Sequence, residues 1–211
     1  MTAQILGISG SPVKNSNTDR LIKAVLESSG LSSEFIKLSK INVRPCIACL
    51  GCAKDNICKV NDDFPQLAEK IKKADAIVVG GYSPYASLDG FTKAFLERLF
   101  SLRHQHALNQ GKLAVTVSSG IGRGKPGVEQ ASKQIAHALT AEGMEVLDNL
   151  QITGNSVCLI CGYGETCPKS SLPLVFGDDV TVTPDKFCKV EDQTELWDRA
   201  GQLGQEIAKR I

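Results

Sequence analysis

Short apolar runs alternate with amphipathic stretches along most of the chain, and this alternation constrains the fold more than any other feature. "QILGIS" (Gln4 to Ser9), "EFIKLS" (Glu34 to Ser39), "DAIVVGGY" (Asp75 to Tyr82), "KLAVTVSSG" (Lys112 to Gly120) and "EVLDNLQI" (Glu145 to Ile152) read as strands. Helical spacing separates them. In "TDRLIKAVLESSG" it falls on Leu21, Ile22, Val25 and Leu26, with Gly30 as a stop. "DDFPQLAEKIKKA" begins acidic and ends in lysines, as the helix dipole favours. "DGFTKAFLERLFSLR" carries Phe91, Phe95 and Leu99, "VEQASKQIAHALTAEG" carries Val128, Ala131, Ile135 and Ala138, and "ELWDRAGQLGQEIAKRI" carries Leu196, Ala200, Leu203 and Ile207 as inward stripes. Five strands alternating with five helices specify an α/β fold, a mostly parallel five-stranded sheet covered on both faces.

Two stretches break the pattern, about 41–61 and about 153–192. Unstructured segments longer than about 15 residues are uncommon unless they serve a function. Each of these holds four of the chain's 8 cysteines. A chain of 211 residues is expected to be a single domain with these two segments as insertions. At that length it buries roughly 70% of its unfolded surface and needs no covalent staples. The start, "MTAQILGISGSP", has no basic leader, long apolar core or small-residue cleavage site, so a cytoplasmic location is expected. There, clustered cysteines bind metals or do chemistry more often than they pair as disulfides. A net charge of +1 gives no electrostatic case for nucleic acid or an anionic membrane as partner, and no apolar run approaches the roughly 18 to 20 residues that span a bilayer.

The first cysteine group is "CIACLGCAKDNIC", with Cys46, Cys49, Cys52 and Cys58 spaced C-x2-C-x2-C-x5-C. Closely spaced C-x2-C-x2-C runs are common around iron–sulfur clusters. Structural zinc favours two C-x2-C knuckles across a longer gap. Spacing alone leaves iron–sulfur, zinc and other thiol chemistry open, with iron–sulfur the better match. The second group comprises Cys158, Cys161 and Cys167 in "CLICGYGETC", and Cys188. Its spacing is less diagnostic: a second cluster, zinc and unliganded or redox-active thiols all remain.

Ligands of open α/β sheets sit outside the carboxyl ends of the strands, and three strand ends here carry suitable groups. "SGSPVKNSNTDR" offers the hydroxyls of Ser9, Ser11, Ser16 and Thr18 and the amide of Asn17 before a helix N-terminus, a setting that favours an anion. It matches neither G-x-G-x-x-G nor the P-loop. Neutral hydroxyls suit one phosphate monoester; the plainer reading is a capped strand-to-helix turn. "YSPYASLDG" has Pro84 to stiffen it and Tyr85 to pack on a flat ring. "SSGIGRGKPG" is rich enough in glycine for close approach, and its Arg123 and Lys125 either meet a cofactor or are solvated charges. His104, His106 and His137 read as solvated, and Trp197 as packing.

These loops together resemble the NADPH-dependent FMN reductase family of the flavodoxin-like fold over about Ile5 to Leu147. "GISGSPVKNSNT" is similar to its phosphate loop and "GGYSPYASLDGFTKAFLERL" to its isoalloxazine-side loop and following helix. The C-x2-C-x2-C-x5-C segment after the second strand resembles the cysteine motif of iron–sulfur flavoproteins. The resemblance implies that Cys46, Cys49, Cys52 and Cys58 ligate a [4Fe–4S] cluster. It implies that Ser9, Ser11, Ser16, Asn17 and Thr18 hold the FMN phosphate, and that Pro84, Tyr85, Ser119 and Gly120 flank the ring. Ser83, Ser87 and Gly122, on the same two loops, complete the expected cofactor contacts. A homo-oligomer, dimer or tetramer, is implied as well.

The expected function is therefore electron transfer between a one-electron donor such as ferredoxin and a small two-electron acceptor through FMN, which can take one or two electrons. No acid–base pair stands out, so no catalytic side chain is assigned. One rival is an NAD(P)H-dependent FMN or quinone reductase with structural zinc. The other, from a different class, is a non-enzymatic metal- or redox-sensing module that binds no flavin.

Overall fold

In the computed structural model, residues 4–121 and 126–211 are described. Five strands, β1 (Ile5–Ser9), β2 (Ser33–Lys37), β3 (Ala76–Tyr82), β4 (Leu113–Ile121) and β5 (Glu145–Gly154), form one sheet in the order β2-β1-β3-β4-β5. Every pairing is parallel. This is the doubly wound flavodoxin-like order, whose switch point lies between β1 and β3.

Both faces of the sheet are covered, which is why its central strands are apolar throughout rather than alternating. Leu6, Ile8, Ile77, Val79 and Ala114 point to one face. There they meet α2 (Phe64–Lys73), α3 (Gly90–Arg103) and α4 (Pro126–Ala141) through Phe64, Ile71, Phe95, Leu99, Ile135 and Leu139. Ile5, Val78, Val115, Val117 and Leu150 point to the other, against α1 (Asn17–Ser29) and α6 (Thr194–Arg210) through Leu21, Val25, Leu203 and Ile207. The five-residue α5 (Leu172–Phe176) interrupts the second cysteine segment.

Local signals set the helix ends. Ser16 and Asp19 form a reciprocal capping box at the start of α1, and Gly30 closes it at φ 65°. Asp89 caps α3 by accepting the Thr92 N–H. The stripe expected on α3 is corrected at its first member, because Phe91 is 42% exposed. Two steps of four residues advance about 80° around a helix, so a stripe that buries Phe95 and Leu99 turns Phe91 out and brings Thr92 in. On α4 the expected Val128, Ala131 and Ile135 are buried, but the stripe ends on Leu139, with Ala138 only partly covered. Among the described residues, no helix is long and apolar enough to cross a membrane.

Candidate functional site

All five strands run the same way, so the loops after β1, β3 and β4 share one edge of the sheet. They also lock together. Gly10, after β1, lies so close to α3 that a Cβ there would stand 1.9 Å from the Thr92 hydroxyl. Asp89, fully buried, accepts from the Tyr82 N–H at 3.0 Å and from the Thr92 N–H and hydroxyl at 2.8 and 2.7 Å. Burial pushes the Asp89 carboxyl above the ordinary aspartate value, against the pull of those hydrogen bonds. Asp89 and Thr92 thus fix the relation between two expected cofactor loops, and sequence reasoning missed both. The signal was present as D-x-x-T before an apolar run, a helix-cap pattern.

The expected phosphate loop is partly engaged in holding itself. Ser9 donates to Asp19 at 2.6 Å, Ser16 accepts the Asp19 N–H at 3.1 Å, and the Lys37 ammonium reaches both Asp19 and the Val13 carbonyl. Asn17 donates to the Cys188 carbonyl at 3.0 Å and accepts from the Val190 N–H at 3.2 Å. Ser11 and Thr18 are both buried at the same turn. A Cβ at Gly80 would stand 2.7 Å from the Thr18 methyl, so that methyl rests on β3. With Asp19 paired to Lys37, the groups left for a ligand are the Ser11 and Thr18 hydroxyls and the α1 N-terminus, a donor set that fits a single phosphate ester.

Across the switch point, Tyr85 is fully exposed and adopts φ 49°, ψ 40°; Ala86 follows at φ 57°. Two successive non-glycine residues in the left-handed region are costly, and such strain gathers at ligand sites. The loop is pinned to its neighbours: Ser83 N–H donates to the Ser119 carbonyl at 2.8 Å, and Gln134 accepts from the Leu88 N–H at 2.9 Å and the Ser87 hydroxyl at 3.4 Å. Ser83 and Pro84 are half-buried at the base of the loop. Ser119 and Gly120 lie beside them at the end of β4, and the buried hydroxyl of neighbouring Ser118 has no hydrogen-bond partner. Gly122, Arg123 and Lys125 lie outside the described residues.

The first cysteine segment leaves the end of β2 and crosses to the flank of α3. Cys46, Cys49, Cys52 and Cys58 line one shallow pocket together with Glu97, Arg98, Phe100 and Ser101 of α3. The fold of the segment is tight: Ala48, Leu50 and Asn56 all take φ between 51° and 56°. Asn56 donates to the Ser101 carbonyl at 3.1 Å and Gln105 to the Ala53 carbonyl at 2.6 Å, bolting the segment to α3 and its exit. Burial pushes the Cys52 thiol above its usual value, and the charges of Cys58, Cys49 and Cys46 push it further. Four thiols lining one pocket are a donor set that fits an iron–sulfur cluster. Among the described residues, no three His, Cys, Asp or Glu side chains converge tightly enough to hold a metal ion as they stand.

Arg98 and Asp62 close the neck of this segment. Their side chains are fully buried, with guanidinium–carboxylate hydrogen bonds of 2.5 and 3.0 Å, and Arg98 also donates to the Arg44 carbonyl at 2.8 Å. Asp62 in turn accepts the Arg44 and Phe64 N–H groups. Burial opposes both charges, yet the partners prevail: the Asp62 carboxyl lies below its usual range and the Arg98 guanidinium above its own. Cys58 is the second group, after Asp62, that holds Arg98 charged. Sequence reasoning missed the pair, although an arginine between Phe95 and Leu102 on the inward side of a helix was a visible anomaly.

The second segment follows β5 and returns toward the phosphate loop. Asn155 grips the Cys188 backbone at both ends, accepting its N–H at 2.7 Å and donating to its carbonyl at 3.0 Å. The Cys158 thiol accepts from the Ser171 hydroxyl and N–H, both at 3.5 Å. These bonds, the hydroxyl first, pull its pKa down from 9.0 to about 7. Gly164 is required, because a Cβ there would meet the Cys158 carbonyl oxygen at 2.0 Å. All eight cysteines are free thiols. Of the histidines, His106 and His137 are exposed as expected. His104 is instead half-buried, edge-on to Phe100 at 4.4 Å, with its Nε2 covered and unpartnered.

The model of the NADPH-dependent FMN reductase family matches residues 3–154, which include the first cysteine group and end before Cys158 of the second. An iron-sulfur flavoprotein from Methanosarcina thermophila is 31% identical over 155 residues, 72% of this chain and 81% of its own. Another from Methanocaldococcus jannaschii is 30% identical over 147 residues, 68% of this chain and 75% of its own. A solved flavodoxin from the domain Archaea superposes with a TM-score of 0.53 at 15% identity, covering 98% of this chain and 96% of that one, and shares the fold. With the flavodoxin-like strand order and the interlocked loops at its switch point, the chain belongs to the NADPH-dependent FMN reductase family and is a flavin-dependent oxidoreductase.

Proposed function

We propose that this oxidoreductase carries FMN at the β1–β3 switch point and a [4Fe–4S] cluster on Cys46, Cys49, Cys52 and Cys58. It passes electrons between a one-electron donor of the ferredoxin type and a small two-electron acceptor. The observation that carries this reading is that all four thiols line one pocket on α3, the helix whose cap, Asp89, sets the flavin-side loop. From that cap to Arg98 is nine residues, about 13 Å along the axis. One rigid helix thus fixes both sites.

In this reading Ser11, Thr18 and the N–H groups at the start of α1 bind the phosphate, and Ser16, Asn17 and Ser9 hold the loop in shape. Ser83, Pro84, Tyr85, Ser87, Ser119, Gly120 and Gly122 surround the ring. When bound, FMN and the cluster supply the exchange between two-electron and one-electron chemistry. The chain's own part is to orient them and to set their potentials. Cys158, Cys161, Cys167 and Cys188 form a second thiolate site, supported by the double grip of Asn155 on Cys188 and the hydroxyl-rich setting of Cys158. Eight free thiols suit a reducing, cytoplasmic setting. Ile47, Leu50 and Phe100, which are 66%, 63% and 41% exposed around the cysteine pocket, support a homo-oligomer that buries this face.

The deciding experiment is anaerobic purification with a visible spectrum and counts of iron, sulfide and FMN. One cluster gives about four irons per FMN and two give about eight. Cys52→Ala removes about four irons and leaves FMN in place. A colourless, zinc-loaded protein overturns the proposal. Bleaching of the flavin by NADPH alone would move the electron source from a ferredoxin-type carrier to a nicotinamide nucleotide.

A further inference from the structure

Among the described residues Arg98 is the largest fully buried side chain, and nearly every face of its guanidinium has a partner. The two terminal nitrogens bind Asp62 and the Arg44 carbonyl. The plane lies over the Phe64 ring, 4.6 Å from its centroid. The exception is Nε, which is buried without a hydrogen-bond acceptor. A buried guanidinium N–H left bare is costly, and native structures tolerate one mainly where something else completes it. Arg98 also lines the cysteine pocket, together with all four thiols.

We propose that the Nε–H of Arg98 donates to a sulfur of the group held in that pocket, and that Asp62 is the positioning carboxylate that aims it. The proposal rests on the iron–sulfur reading above. Its physical basis is general. Adding an electron makes a thiolate-bound cluster more negative, so a fixed N–H donor and a buried cation favour the reduced form and raise the reduction potential. Asp62 orients the donor but offsets part of the cation's charge. The directed N–H is therefore the larger lever.

Asp62 lies four residues after Cys58, and Arg44 lies two before Cys46. One guanidinium therefore ties both ends of the cysteine segment and touches its pocket. Lysine could neutralise Asp62 but has no planar fork to hold Asp62, the Arg44 carbonyl and a sulfur at once.

The test uses anaerobically purified holoprotein in three forms: wild type, Arg98→Lys, and the double variant Arg98→Gln with Asp62→Asn, which removes both buried charges together. Iron, sulfide and FMN are counted per chain. The cluster potential is read by a redox titration followed by electron paramagnetic resonance. The expected result is unchanged iron and FMN in both variants. The cluster potential falls in both, and further in the double variant, while the flavin potential stays put. Iron retained at an unchanged cluster potential in both variants overturns the proposal. So does loss of iron from both, which makes Arg98 a structural clamp only. If the double variant alone loses iron, Arg98→Lys decides by the same potential criterion. Wild-type protein without iron or sulfide overturns the iron–sulfur reading itself, a result distinct from each of these.

Discussion

The side-chain amide of Asn17, at the start of α1, donates to the backbone carbonyl of Cys188, 171 residues away in sequence. Its oxygen also accepts the Val190 N–H and the Arg20 guanidinium. The expected phosphate loop and the second cysteine segment are therefore one unit. Asn17→Ala is expected to cost about 1–3 kcal/mol by leaving these groups without their partner. The loss should be local, appearing as faster hydrogen exchange over residues 186–192. Asn17→Asp keeps the acceptor and loses only the donor, so it should fall between. Unchanged exchange in Asn17→Ala would show that Asn155 holds Cys188 alone.

The fold was legible because its determinants are local. Apolar runs marked β1, β3 and β4 to within a residue or two, and the hydroxyl-rich turn before "TDRL" marked the start of α1 to within a residue. The site was legible only as chemistry. Ser9, Ser16 and Asn17 look like ligand hydroxyls and an amide in the sequence, but in the fold they bond to Asp19 and Cys188. Nothing near Cys46 or Cys58 announces that Asp62 and Arg98 will meet across 36 residues. The inward place of Arg98 on α3 left a periodic trace, but its pairing with Asp62 depends on how α3 packs beside the segment, which is a tertiary property. The same holds for Tyr85, whose left-handed backbone is imposed by the Ser83 and Leu88 anchors rather than by its own preference.

Gly10 provides a steric test of the switch point. An added methyl would meet the Thr92 hydroxyl at 1.9 Å and Asp89 at 2.9 Å. Gly10→Ala must therefore push the β1 loop off the first turn of α3. Overpacking of this kind costs about 1–3 kcal/mol. FMN retention on gel filtration should drop at least tenfold, while iron bound to the first cysteine segment stays, because the clash lies at the opposite end of α3. A variant with normal flavin content would show that the two loops bind the cofactor independently. Thr18→Val tests the same loop without a clash. It keeps the methyl on Gly80 and removes the hydroxyl, so weaker FMN retention is expected with little change in stability.

The last prediction concerns pH and lies away from the site. Glu142, 6% exposed after α4, accepts from the Asn109 amide at 3.2 Å. Burial raises its pKa from 4.5 to about 7, against weaker lowering by Asn109 and Arg103. The folded value exceeds the unfolded one, so the folded state holds the proton more tightly between them. Its contribution to stability is fully present below about pH 4.5 and is lost as pH rises to about 7; the size is about 3 kcal/mol. Buried Asp89 acts in the same direction, while Asp62 and Glu145, with lowered values, act in the opposite one. The test must therefore be a difference between proteins rather than a single curve. Glu142→Gln keeps the shape and cannot ionise, so its urea stability relative to wild type should improve steadily from pH 4.5 to pH 7 and then level off. Parallel curves for the two proteins across that range would mean that Glu142 titrates as it does in the unfolded chain.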